Sequence, residues 1–397
     1  MVIMKFLLIS ILLVTLGCED KKVAPQNNPN NSQTNNSTDD WGAKRQAVVT
    51  SVAEFASLTF EEFEVSTVAL EQSITAWRAA PSASTLDDAQ AKFHEAMDIW
   101  QRAELLQIGP AGVMGAVAAG EDLRDQVYSW PLSNPCRIDQ EIVREGYLND
   151  LSSQAVNVRG LDALEYLLFY AESANACPIN SVINSDGQWA ALGAEEVNRR
   201  RQSFALAAAQ EVRKSAQRLN AHWKSGSEFR VQFDDPRSGS HYGSLREVLN
   251  AVTDSLFYVE KELKDMKLAP PIGVMGCASS SCPELAESRY ADRGLANILQ
   301  NLRAFDRLYS GGEGIGFDDL LEHVGANETR DEMRADIAAA IAKVEGFEGE
   351  FLVELARDQE ALVELYELVR NISTLLKTEF ISLLDLDLPK RAEGDND

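Results

Sequence analysis

Asp162 and Glu165 stand three residues apart in "RGLDALEYLLFY", residues 159–170, a run that is otherwise almost wholly apolar. On a helix this spacing puts both carboxylates on one face. Leu161, Leu164 and Leu168 form an apolar stripe, and Leu167, Phe169 and Tyr170 close much of the rest, so the helix is expected to be largely buried. Carboxylates are costly to desolvate. Such a helix keeps two of them either because its first turn favours negative charge or because they face a site. In the second case an all-oxygen pair suits a hard cation or a hydrogen-bonding ligand. Glu104 raises the same question. Phe93, Met97 and Trp100 make an i, i+4, i+7 stripe, and Glu104 falls on it one helical step further. It is paired with an arginine, or it belongs to a site.

The histidines point away from a familiar metallopeptidase. His94, His222, His241 and His323 form no HExxH, HxxEH or HxxH, so the two-histidine zinc helix is missing. His222 and His241 read as surface or loop residues and His323 as a helix-end residue. His94 is the one expected to decide the matter, by reaching the acid pair or not. No GxSxG nucleophile motif is present either.

The elements that must position these residues are helical, since no alternating strand pattern of useful length appears. Residues 43–79 form an amphipathic run stopped at Pro81. A second helix starts with Ser84 or Thr85 as N-cap and runs to Gly109-Pro110. A shorter one is expected around 111–128, followed by helical segments up to Tyr170. Further helices are expected at 188–223, 243–267, 288–310, 328–346 and 351–385. The Gly-rich "SGGEGIG", 310–316, follows a helix and lacks the Lys-Ser/Thr ending of a phosphate loop, so it reads as a turn. The expected fold class is all-α, with two packed helical-bundle domains over 43–185 and 186–392.

The chain of 397 residues carries 37 basic against 62 acidic residues, a formal charge of −25. That balance argues against nucleic-acid binding, which needs a basic face. Lys5 followed by "FLLISILLVTLG" reads as an export signal over 1–17, with an apolar core too short to span a bilayer. It ends at Cys18 in the manner of a bacterial lipobox, although Thr15 departs from the usual Leu. Cys18 is the expected lipidation site, and its lipid the expected link to a membrane. Glu19 in place of the inner-membrane retention Asp favours an outer-membrane lipoprotein, facing the periplasm or the surface. Residues 18–42, rich in Asn, Ser, Thr and Pro, read as a disordered tether. In an oxidising compartment the remaining cysteines suggest two disulfides. Cys277 and Cys282 flank a short "ASSS" loop, which leaves Cys136 to pair with Cys177. A four-cysteine zinc site is the competing reading, but no CxxC spacing supports it.

Together these stretches resemble the imelysin-like family of bacterial lipoproteins and periplasmic proteins, related to a peptidase and to an iron-uptake component. The likeness lies in "AWRAAPSASTLDDAQAKFHEAMDIWQRAELLQIGPAG" with Trp77, Trp100, Glu104 and Gly109-Pro110, and in "RGLDALEYLLF". It continues in "ELAESRYADRGLANILQNLRAFDRLYSG" with Glu287, Ser288, Tyr290 and Asn301, and in "LLKTEFISLLDLDLP". The resemblance implies an all-helical fold of two bundle-like domains with a site between them at a Gly-x-His-x-x-Glu motif. Here Gly160 and Glu165 match, but Asp162 stands at the histidine position. His plus Glu suits zinc or iron, whereas Asp plus Glu suits harder ions, ferric iron included. By this likeness Asp162, Glu165 and Glu104 are the expected metal ligands, and Gly160, Glu287, Ser288 and Asn301 the expected lining of a ligand cleft.

Three functions follow as expectations. The first is a lipid-anchored cell-envelope protein of iron uptake, binding iron or a small metal complex alongside other envelope proteins of that system. The second is a metallopeptidase of the imelysin type, with iron or zinc activating water. The third is an interaction scaffold whose cleft acids are structural.

Overall fold

Helices carry most of the described part of the chain. The computed structural model describes residues 34–389, with side chains from residue 40 onward. The expected signal segment, Cys18 and the tether up to residue 33 lie outside the described residues. Residues 34–42, expected to belong to that tether, are helical instead: α1 runs Thr34–Ala79. Its buried stripe extends from Val48 to Trp77, and a helix nucleated on such a stripe propagates outward through polar residues at little cost. The N-cap of α2 (Ala83–Ala103) is Ser82, ahead of the expected Ser84 or Thr85. The Ser82 hydroxyl accepts the Thr85 amide at 3.2 Å, and Thr85 Oγ1 accepts the Ser82 amide at 3.1 Å, a reciprocal capping box.

Over 111–128 the expected helix gives way to a 3-10 turn at Gly109–Ala111, an isolated bridge between Met114 and Val117, and the short α3 (Leu123–Val127). Asp122 Oδ1 accepts the Met114 amide at 2.7 Å, a local bond that competes with helix formation. Then follow α4 (Pro135–Arg144), α5 (Gly160–Phe169), α6 (Val182–Ser185) and the long α7 (Gln188–Trp223), which is kinked at Gly193. After α8 (Glu228–Asp234), the helix expected over 243–267 forms in two parts, α9 (Leu245–Leu256) and a π-helix, Val259–Leu268. The one expected from 288 starts later, as α10 (Gly294–Ser310). Gly311, left-handed at φ 67, caps α10 within the Gly-rich stretch, which is a turn. The remainder is α11 (Phe317–His323), α12 (Asn327–Glu345), α13 (Phe351–Arg357), α14 (Gln359–Leu375), a second π-helix at Leu376–Phe380, and α15 (Ile381–Leu383). Among the described residues no β-strand forms, and no helix is long and apolar enough to cross a membrane.

The chain divides into two units, Met1–Asp40 and Trp41–Asp397. Within the second, α7 packs along α5, α3 and α4, while α10, α12, α14 and the first π-helix pack on one another. The expected boundary at 185/186 therefore falls between α5 and α7, which lie side by side. α2 touches both groups, through α5 and through α10. α1 packs Phe63 on Trp100 of α2 and Phe60 on Trp223 of α7. Both expected disulfides are present, Cys136–Cys177 and Cys277–Cys282.

Candidate functional site

The site begins with a glycine that nothing else could replace. Gly160 opens α5 at φ +82, and a Cβ there would lie 2.6 Å from the Val127 carbonyl oxygen. Both the dihedral and the close approach require glycine. With α5 pressed against the end of α3, the next residues, Tyr128 to Trp130, run past Asp162. Asp162 Oδ2 accepts the Ser129 amide at 2.6 Å and the Ser129 hydroxyl at 3.0 Å. One turn on, Glu165 Oε1 accepts the amides of Tyr290 at 2.9 Å and Ala291 at 3.2 Å, from the loop that precedes α10. The Ser288 hydroxyl also bonds to Glu165.

Both carboxyls are almost fully buried, at 6% and 5% exposure. Among the described residues neither forms an ion pair. Burial pushes Asp162 up to about 7; the two Ser129 bonds and the more distant Arg124 pull the other way. Burial likewise pushes Glu165 up to about 7, against the pull of its Ala291, Tyr290 and Ser288 donors. Two carboxyls poised to change protonation near neutrality line one pocket of about 150 Å³. Trp130, Pro131 and Tyr290 form its apolar walls, Ser288 sits beside the acids, and Glu284 and Arg289 stand at its exposed side.

The expected site residues thus separate into two groups. Asp162, Glu165 and Ser288 share the pocket. Gly160 shapes it from behind, as a packing residue. Glu104, Glu287 and Asn301 belong to a buried network beneath it. There Lys267 Nζ lies 3.3 Å from Glu104, 3.0 Å from Glu287, 2.9 Å from Asn301 Oδ1 and 2.6 Å from Gln101 Oε1. Arg124 pairs with the other Glu104 oxygen at 3.1 Å, and Tyr258 OH donates to Glu104 at 2.6 Å. Burial alone would raise Glu104, but Lys267 and Arg124 outweigh it and hold the carboxyl below its ordinary range. The arginine partner that competed with a site role for Glu104 is therefore present, together with a lysine.

His94 settles its own question. It is not among the pocket's lining residues; its Nδ1 lies 2.8 Å from Arg293, and its ring packs on Phe169. Burial and then Arg293 hold its pKa below the usual value. His222 pairs with Glu121, His241 lies in a loop and His323 ends α11 against Trp41. Among the described residues no three His, Cys, Asp or Glu side chains converge as a metal-holding group. Sequence reasoning passed over Trp130 and Arg289, which line the pocket, and Ser129, which holds Asp162. The signal for Trp130 was the loop "YSWPLSNPC", whose half-buried tryptophan lines the pocket; Ser129 had none.

A helical protein with a buried acid pair under two converging loops is the class that fold and pocket define. The chain belongs to the imelysin family: the family model described as Imelysin, peptidase M75, matches residues 56–378. No curated protein matches. Among solved structures, an imelysin-like protein from Psychrobacter arcticum 273-4 superposes with a TM-score of 0.64 at 15% identity, over 87% of this chain and 97% of that one. A putative iron-regulated protein A precursor from Parabacteroides distasonis ATCC 8503 superposes with a TM-score of 0.69 at 16% identity, over 86% and 95%. At such identities the likeness is one of fold.

Proposed function

We propose that this protein is a cell-envelope binding protein that takes a small ferric complex as cargo at the Asp162–Glu165 pocket. One observation carries the reading: two carboxyls, buried and free of cationic partners among the described residues, open into the same cavity. A buried acid pair without a counter-ion is costly, and an incoming cation relieves that cost. Ser129 occupies only one of the two Asp162 oxygens, which leaves the other for a ligand. Two oxygens are too few to enclose a bare ion, so the cargo brings its remaining ligands with it. A cavity of about 150 Å³ suits a hydrated ion or a small chelate, well below the several hundred Å³ of a pocket for a drug-sized ligand. The iron-regulated name of one structural neighbour is consistent with iron as that cargo.

The peptidase reading is weaker. A zinc centre that activates water uses nitrogen-rich ligation with an open position, and no histidine lines this pocket. The lipid anchor at Cys18 and the envelope location remain parts of the proposal, resting on the sequence of residues 1–18.

The test is a calorimetric titration of the purified chain with ferric citrate and, separately, with zinc, with tryptophan fluorescence as a second readout. The expected result is saturable one-site ferric binding, abolished in Asp162→Asn/Glu165→Gln, and no comparable zinc site. Ferric binding that survives the double substitution would move the site elsewhere.

A further inference from the structure

Asp162 and Glu165 share one helix, but the donors that aim them come from two loops far apart in sequence. Ser129, which holds Asp162, follows α3; Tyr290 and Ala291, which hold Glu165, precede α10. The second loop is in a conformation that does not keep itself. Ser288 and Asp292 are left-handed at φ 49 and 45, an unfavourable region for residues other than glycine. Something must fix it, and fix it relative to the first.

One side-chain bond joins the two loops directly. Tyr128 OH, next to Ser129, donates to Glu287 Oε1 at 2.9 Å, and Glu287 is next to Ser288. The same Glu287 oxygen accepts Lys267 Nζ at 3.0 Å and Gln101 Nε2 at 3.2 Å. Gln101 is pinned in turn by Asn301, whose Nδ2 donates to the Gln101 carbonyl oxygen at 2.7 Å. Tyr128, Glu287, Lys267, Gln101 and Asn301 are all at most 3% exposed. Buried ion networks contribute little net stability compared with apolar packing of the same volume. This one lies where the register of two loops must be specified.

We propose that Glu287 is a positioning residue of the pocket, which straps the loop holding Asp162 to the loop holding Glu165 while Lys267 fixes it from beneath. The inference rests on the reading of Asp162 and Glu165 as the binding pair, but its geometric part stands apart from the identity of the cargo. Tyr128→Phe removes the strap's hydroxyl and keeps the ring. Glu287→Ala removes the acceptor.

The experiment is amide hydrogen exchange of the full chain, read at Ser129 and at Tyr290–Ala291, in the wild type, each single variant and the double variant, with a ferric citrate titration of each. Losing one such bond is expected to speed exchange by about tenfold. In Tyr128→Phe the acceleration should appear at Tyr290 and Ala291, on the loop that was not altered, with α7 and α12 unchanged. The double variant should resemble Glu287→Ala alone, because both substitutions cut the same strap, and ferric affinity should fall about fivefold or more. Acceleration confined to the neighbourhood of residue 128, or single effects that simply add, would overturn the strap. So would ferric binding that depends on Asp162 and Glu165 yet is unmoved by Tyr128→Phe. If the loops loosen together but the wild type binds no ferric citrate, the strap holds and the cargo reading fails. Should Glu287→Ala not fold, Tyr128→Phe alone decides.

Discussion

Glu165 shows how much a single buried side chain sets the pH behaviour of this protein. With its pKa pushed up to about 7, the folded chain keeps a proton there that the unfolded chain releases above about pH 4. The native state thus binds more protons across that window, so stability contributed by this group falls as pH rises from about 4 to 7, and the penalty is complete above 7. A shift of one unit is worth about 1.4 kcal/mol. Glu165→Gln carries no such penalty and keeps an oxygen for the Tyr290 and Ala291 amides. Urea unfolding should therefore find the variant more stable than wild type by on the order of 2–3 kcal/mol at pH 8, and nearly equal at pH 4. An equal difference at both pH values would mean that Glu165 is not the titrating group. Asp162 obeys the same logic, with its pKa also near 7. At this scale the sequence was informative about which residues are odd, since acids in apolar runs stand out. It was silent about their partners. Lys267 is buried because the segment around it is a π-helix, whose i→i+5 bonding shifts the faces that a 3.6-residue period assigns.

Among the elements, the long helices were legible and the connections were not. α7 and α12 follow from periodicity and breakers almost to the residue, since such signals accumulate over many turns. The stretch 111–128 misled because Asp122 spends its carboxylate on the Met114 amide, a bond no periodic pattern reveals. The start of α10 was misplaced because Ser288 to Asp292 form the loop that serves Glu165. Both disulfides were legible from compartment and spacing, and they are unequal. Cys136–Cys177 spans a sequence separation of 41 and Cys277–Cys282 one of 5. By loop-closure entropy the first is worth about 4 kcal/mol and the second about 2. Replacing Cys136 and Cys177 with serine should accordingly lower denaturant stability by more than replacing Cys277 and Cys282. The reverse order would show that the short bridge next to the 283–293 loop holds native structure that chain entropy does not capture.

At the scale of the whole molecule, the two helix groups meet through α2, and the pocket lies where α5 of one group receives the loop leading to α10 of the other. That arrangement explains why the all-α class and the family could be read from the chain, while much of the pocket's lining could not: Trp130 and Arg289 come from loops more than a hundred residues apart. On the proposed reading, the all-oxygen pair of Asp162 and Glu165 favours a hard, oxygen-loving cargo over zinc. The most direct test is a crystal of the chain soaked in ferric citrate and measured at the iron absorption edge. An anomalous peak bonded to the carboxylates of Asp162 and Glu165, with the remaining ligands supplied by citrate or water, is the predicted result. A peak at any other site, or none in a crystal whose pocket is open to solvent, would contradict the account.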